Sequence, residues 1–253
     1  MNRRTEEEKN WFRHVNYAHR GLYEKDQSVP ENSLEAFRRA AEAHYGVELD
    51  VQLSKDGHVM VFHDDSLKRM CGKDCKIWDL TLEELKELRL KGTDSGIPLF
   101  REVLDVLKDG AGPLIVELKT GPKNDELAFK TYELLKAYPG VYCIESFNPF
   151  LVNWFRKNAP EVFRGQLSTK SEGYQGFPKP VRYLLSTCRF SFLNRPDFIA
   201  YDRTAEIPKK VQKLRKKGVL LVAWTARDES LKEETEQAFD AVIFEHYRPV
   251  PKY

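Results

Sequence analysis

Two carboxylates two residues apart, Glu48 and Asp50, sit in the apolar run GVELDVQL. If that run is a β-strand, alternation of side chains puts both on one face and Val47, Leu49 and Val51 on the other. The run LIVELKTG places Glu117 and Lys119 on a common face in the same way. Three acids converging on one place would repel one another unless cations hold them. Oxygen donors without cysteine or paired histidine suit a hard divalent ion, Mg²⁺ or Ca²⁺. A structural ion network with Arg20 and Lys119 is the other reading, because buried charges are usually paired.

Histidine adds proton transfer. His19 ends VNYAH and is followed by Arg20, and His63 ends VMVFH. An imidazole exchanges protons near neutrality, and a guanidinium offers a planar fork suited to two phosphate oxygens. Side by side at a strand end, His19 and Arg20 would form half of a site for a phosphate ester. A polar surface pair closing a strand is the plainer alternative.

Positioning these groups requires strands whose ends meet. Strand-like runs cover 15–19, 46–53, 58–63, 114–119, 142–147, 163–168, 198–202, 219–225 and 241–245. Helical patterns fall at 31–44, 81–90, 99–108, 124–137, 149–158, 178–188, 205–217 and 228–238. Thr81 with Glu84 forms a capping-box signature, and Asn32 or Ser33 suits the start of the helix at 31–44. Alternation of strand and helix implies a parallel sheet in an α/β fold. Nine strands fit an eight-stranded barrel if 46–53 and 58–63 form a hairpin around SKDG. In such barrels the strand C-terminal ends carry the active site. The stretches 64–113 and 170–197 read as insertions in a single domain spanning 1–253.

Composition narrows the class of function. The chain has 253 residues, 41 basic and 39 acidic side chains and a net charge of +2, which argues against a nucleic-acid binder. The basic run KKVQKLRKKG reads as the wet side of an amphipathic helix. No apolar run is long enough for a transmembrane helix. The N-terminal MNRRTEEEKNWFRHV lacks the apolar core of a signal peptide. Four cysteines suggest free thiols and a cytoplasmic setting. Cys71 and Cys75 bracket a short loop and are close enough in sequence to pair, but make no zinc motif.

The blocks AHRG, PENSLEAFRRA, GVELDVQLSKDGHVMVFHDDSLKRMCG, DLTLEELKEL, IPLFREVLDVL, IVELK, ESFNP and VAWT, in this order from about residue 15 to 245, resemble the glycerophosphodiester phosphodiesterase family. The resemblance implies a (β/α)₈ TIM barrel with an insertion after the second strand. It implies divalent-metal-dependent hydrolysis of glycerophosphodiesters to glycerol 3-phosphate and an alcohol. It implies metal ligands Glu48, Asp50 and Glu117, acid–base histidines His19 and His63, phosphate contacts Arg20 and Lys119, and support from Glu31 and Asn32. Phe147 and Trp224 are placed to line the barrel mouth. Tyr174, Phe177, Tyr183, Phe190 and Phe192 would form one wall for the alcohol or pack within their own insertion. Where family chains often carry Thr-Asp-x-Pro after the last strand, this one has FEHYRP, with Glu245 and His246. That departure, like TARDES after Trp224, is expected to bear on substrate preference and to leave the metal and histidines alone. A lysophospholipase D-like phosphodiesterase and a non-catalytic phosphate-ester-binding barrel are the competing readings, and the oligomeric state is left open.

Overall fold

The structure, a computed structural model, describes residues 4–110 and 112–252. Nine strands are present among them: β1 Asn16–His19, β2 Gly46–Leu53, β3 Val59–Val61, β4 Leu114–Leu118, β5 Tyr142–Ser146, β6 Phe163–Ser168, β7 Phe198–Asp202, β8 Leu220–Ala226 and β9 Ala241–Phe244. Eight of them are parallel and close on themselves, with β1 paired to both β9 and β2. The exception is β3, which runs antiparallel to β2 in the expected hairpin. The architecture is the (β/α)₈ barrel.

Alternation sorts the strand residues into two layers. Ile115, Cys143, Phe163, Leu167, Phe198, Leu220, Val222 and Ile243 cluster inside the barrel. Val47, Leu49, Val51, Val116, Leu118, Ile144, Ile199 and Leu221 pack outward beneath the helices. The outward stripe of β2 therefore turns Glu48 and Asp50 into the barrel, as the sequence pattern required. The lower interior is plugged by aromatic rings. Phe12, just past the N-terminal helix Glu6–Asn10, stacks on Phe163 at 4.4 Å, and Phe163 stacks on Phe198 at 5.9 Å.

Strand β1 is short, and this positions a catalytic candidate. Its partners on β2 end at Glu48, so the remaining edge of β2, from Val51 to Leu53, is free to pair with β3. The ladder continues through Phe62, whose N–H donates to the Asp50 carbonyl at 3.0 Å. His63 is thus delivered to the rim immediately beside the acidic strand.

Helix boundaries moved where local chemistry overrode periodicity. The helix expected at 31–44 runs Leu34–Glu42, because Ser33 Oγ accepts the Ala36 N–H at 3.2 Å and caps it. The one expected at 205–217 begins at Lys209, directly after Pro208, since the residue preceding a proline is pushed out of the helical region. The Thr81–Glu84 capping box is present and starts the helix Leu82–Lys86. Of the stretch 64–113, the helix Phe100–Leu107 belongs to the barrel and packs against Leu34–Glu42 and β3. Much of what precedes it forms a satellite with its own core of Leu67, Met70, Ile77, Leu85 and Leu90 around Met60 and Phe62. Cys71, Cys75, Cys143 and Cys188 are all free thiols.

Gly165 tests the packing of the barrel floor. A methyl group there would meet the Phe198 ring at 2.2 Å, and overpacking of this kind costs about 1–3 kcal/mol. Gly165→Ala is expected to lower unfolding stability by that amount in urea titration, while Gly72→Ala, whose added methyl has nothing within 4 Å, should show only the smaller strain of its positive φ.

Candidate active site

Three carboxylates meet where β2 and β4 end. One oxygen each from Glu48, Asp50 and Glu117 lies within 4.8 Å of the other two, and all three residues are buried. The register explains the convergence: Asp50 is directly opposite Glu117 on the neighbouring strand. Glu145 on β5 is in turn opposite Glu117 and adds a fourth buried carboxyl to the same interior. Glu145 escaped the sequence analysis, yet lying two residues before Phe147 places it on the same strand face.

Two cations reach this cluster. The Lys119 ammonium lies 2.9 Å from Glu117 and 3.4 Å from Asp50. Arg20 places Nε 3.5 Å from Asp50 and donates from Nη1 to Glu31 at 2.7 Å. Its backbone N–H donates to Glu48 at 3.1 Å, and Asn32 Nδ2 donates to Asp50 at 2.9 Å. The expected ion network therefore exists, but it leaves negative charge over. Arg20 is shared with Glu31, and Glu145 Oε2 and Asp50 Oδ1 accept no hydrogen bond although buried. Burial, reinforced by Asp50, Glu117 and Glu145, pushes the Glu48 carboxyl well above its usual range. Burial also raises Glu117 against the pull of Lys119. Asp50 is held low despite burial by His63, Lys119, Arg20 and Asn32. An all-oxygen set with surplus negative charge and an unsatisfied carboxylate oxygen fits a hard divalent cation.

The two histidines flank these acids, and each is held at Nδ1 by a carboxylate. His19 Nδ1 is 2.5 Å from Glu245 Oε2, with Nε2 turned toward Glu48 at 3.9 Å. His63 Nδ1 is 2.7 Å from Asp64 Oδ1. Asp64 is itself held by Arg69, which also grips Glu31 through both terminal nitrogens at 2.9 and 2.6 Å. Gln52 Nε2, two residues after Asp50 on β2, donates to the carbonyls of Phe62, His63 and Asp64 at 2.9, 3.2 and 2.9 Å and fixes the His63 loop. An imidazole anchored this way has its ring orientation set and its other nitrogen directed into the site.

The departure FEHYRP is where the sequence reading needs correction. Glu245 follows Ile243 on the inward face of β9, reaches the rim, and accepts from His19, from Tyr23 OH at 2.8 Å and from Arg227. It touches a histidine directly, contrary to the expectation that this segment concerned substrate preference alone. Alternation counted from Ile243 was the signal that could have found it. Burial and Arg20 lower the His19 pKa, with Glu245 opposing them.

The aromatic groups divide. Phe147 meets Trp224 edge-on at 5.6 Å and Tyr174 at 6.1 Å, and Trp224 Nε1 donates to the Ser168 carbonyl at 3.0 Å. Tyr174 is buried in this group, whereas Phe177, Tyr183 and Phe192 are exposed. Phe190 packs against Phe150 at 6.1 Å. Simple burial within the insertion therefore does not describe the three exposed rings.

A parallel barrel with an acidic cluster at its C-terminal rim, between two carboxylate-anchored imidazoles and two cationic side chains, defines a barrel of the phosphoric-ester hydrolase kind. The chain belongs to the glycerophosphoryl diester phosphodiesterase family, whose model matches residues 19–247. It is similar to a glycerophosphodiester phosphodiesterase of Caldanaerobacter subterraneus subsp. tengcongensis, 32% identical over 239 residues, covering 89% of this chain and 91% of the relative. The crystal structure of a glycerophosphodiester phosphodiesterase from Thermotoga maritima is 33% identical with a TM-score of 0.70, covering 91% of this chain and 94% of that one. An Oleispira antarctica phosphodiesterase, solved in complex with the product sn-glycerol 3-phosphate, is 26% identical with a TM-score of 0.76 and 94% coverage of both chains. No helix among the described residues is long and apolar enough to cross a membrane.

The Glu245 contacts carry a pH signature. Burial alone would raise its carboxyl, but His19, Tyr23 and Arg227 outweigh it and hold the group well below its usual 4.5. The depressed value means that its stabilising charge is complete above 4.5 and is lost progressively as pH falls below. Glu245→Gln should accordingly melt lower than wild type at pH 7, with the difference narrowing between pH 5 and pH 3. A Tm difference that stays constant across this range would show that the carboxylate charge is not what holds the contact.

Proposed function

We propose that this protein hydrolyses glycerophosphodiesters to glycerol 3-phosphate and an alcohol, with a divalent cation and two histidines. The observation that carries the reading is the buried triad Glu48, Asp50 and Glu117 between two imidazoles whose outer nitrogens are already bonded to carboxylates. Family membership and the product-bound relative support the substrate class.

Glu48, Asp50 and Glu117 would hold the ion, either Mg²⁺ or Ca²⁺. Bound there, it would supply Lewis-acid stabilisation of charge on the phosphoryl oxygens. The chain's own groups account for the rest. Arg20 presents its guanidinium beside Asp50 and Lys119 its ammonium beside Glu117, so both can follow charge onto the phosphate as it builds. Glu31 holds Arg20, and Asn32 holds Asp50, in the supporting roles the motif suggests. One imidazole takes a proton at Nε2 from the attacking hydroxyl, which is a water or the glycerol 2-hydroxyl; in the second case a water then opens the resulting cyclic phosphate to glycerol 3-phosphate, with the roles of the two rings exchanged. The other delivers a proton from Nε2 to the departing alcohol oxygen. Glu245 and Asp64 fix the tautomers that make Nε2 the working atom on each ring. Phe147 and Trp224 form the apolar edge against which the substrate lies.

Each general acid or base of this kind is worth on the order of 10²–10⁴ in rate. His19→Ala and His63→Ala should each lose at least about a hundredfold in turnover of glycerophosphocholine, with the metal-induced rise in Tm retained. Near-normal turnover in either would remove that histidine from the chemistry. Glu117→Ala should lose both the metal-induced Tm rise and activity; tight metal binding by this variant would refute the ligand set. Parallel assays on glycerophosphodiesters and a lysophospholipid, reading release of glycerol 3-phosphate against release of lysophosphatidic acid, decide between the reading given and a lysophospholipase D-like activity.

A further inference from the structure

The opposite end of the barrel carries a second concentration of charge that the rim chemistry does not use. A cavity of about 880 Å³ opens at the N-terminal ends of β6, β7 and β8, lined by residues that immediately precede each strand. That volume is in the range of small-molecule sites, roughly 300–1,000 Å³. Six basic and three acidic side chains line it, in a chain whose overall net charge is only +2.

The acids are already committed. Asp197 accepts the Arg164 backbone N–H at 3.1 Å and pairs with Arg4 at 3.2 Å. Glu8 accepts the Thr5 backbone N–H at 2.7 Å, and Glu161 accepts the Tyr132 hydroxyl at 2.6 Å. Among the described residues, Arg156, Arg195 and Lys217 have no carboxylate within ion-pair distance. Arg164 is only 8% exposed, and its nearest carboxylate oxygen, on Asp197, is 3.8 Å away. Its guanidinium donates to the backbone carbonyls of Asn194, Pro160 and Val162, each at 3.3 Å. Burial lowers its pKa; Asp197 opposes this, and Arg4, Arg156 and Arg195 add to it. Asp197, shared with Arg4, is thus the one counter-charge that reaches this buried guanidinium among the described residues, against three neighbouring cations, and under-compensated buried charge is costly.

We propose that this cavity binds a phosphate-bearing anion of two or more negative charges, held by Arg156, Arg164, Arg195 and Lys217. Guanidinium groups suit phosphate oxygens through paired, charge-assisted hydrogen bonds. The cavity is at the opposite ends of the strands from the acidic triad, and strands of this length separate the two sites by roughly 15–20 Å. The anion is therefore not the ester undergoing reaction. Inorganic phosphate and a phosphorylated metabolite share the required chemistry.

The test compares the full-length wild type with Arg195→Gln/Lys217→Gln, two exposed positions whose replacement spares the buried Arg164. Both proteins are titrated by calorimetry with inorganic phosphate, diphosphate and glycerol 3-phosphate, against sodium chloride at matched ionic strength. Wild type should bind one equivalent that the double variant binds at least tenfold more weakly, while turnover without added anion is the same in both. Tighter binding of inorganic phosphate than of the ester identifies the free ion as the ligand class, and the reverse order identifies a phosphorylated metabolite. Crystals soaked in tungstate should show the heavy atom against Arg164. Equal anion binding by the two proteins, or tungstate at the rim alone, overturns the proposal.

Discussion

Everything at the mouth of this barrel follows from placing like charges together out of water. Two unit charges about 4 Å apart interact with roughly 4 kcal/mol in the environment typical near a protein surface. Glu48, Asp50 and Glu117 are closer to full burial than that, and Glu145 adds to the repulsion. Arg20 and Lys119 relieve part of it, which is why Asp50 can stay ionised while Glu48 and Glu117 are pushed upward. The remaining imbalance leaves an all-oxygen acidic cluster whose chemistry suits a doubly charged cation.

The histidines are arranged on the same logic of paired supports. Each comes from a different segment, one at the end of β1 and one after the β2–β3 hairpin, and each finds its own carboxylate. Asp64 is tied through Arg69 to Glu31, and Glu31 to Arg20, so the His63 loop and the Arg20 guanidinium belong to one connected network. On the other side, Glu245 ties His19 to the last strand and to Arg227. A displacement in the first network would move the His63 ring and the Arg20 guanidinium together, and one in the second would move the His19 ring with Glu245.

The two ends of the barrel are built differently. Below, stacked rings of Phe12, Phe163 and Phe198 fill the interior and hold the strands. Above, the interior turns polar from Glu145 and Asp50 onward, and stability is given up for an open, charged mouth. The basic cavity at the floor lies outside the aromatic plug, on the outward side of β6, where Arg164 alternates with the inward Phe163 and Gly165. Anion recognition there would not disturb the core.

The sequence by itself determined the alternation of strands and helices, the shared faces of the acidic residues on β2 and β4, and the presence of acids, imidazoles and cations near strand ends. These depend on the two-residue period of a strand, which is local and leaves its mark on any stretch of chain. It did not determine which groups touch. That Glu245, 226 residues from His19, anchors its ring follows from closure of β9 onto β1, a pairing between the two ends of the chain. That Asp64 and Arg69 reach Glu31, and that Gln52 holds the His63 loop, depends on how far a short β1 leaves the edge of β2 open. Such contacts are set by register and closure across distant segments, and only the folded barrel decides them.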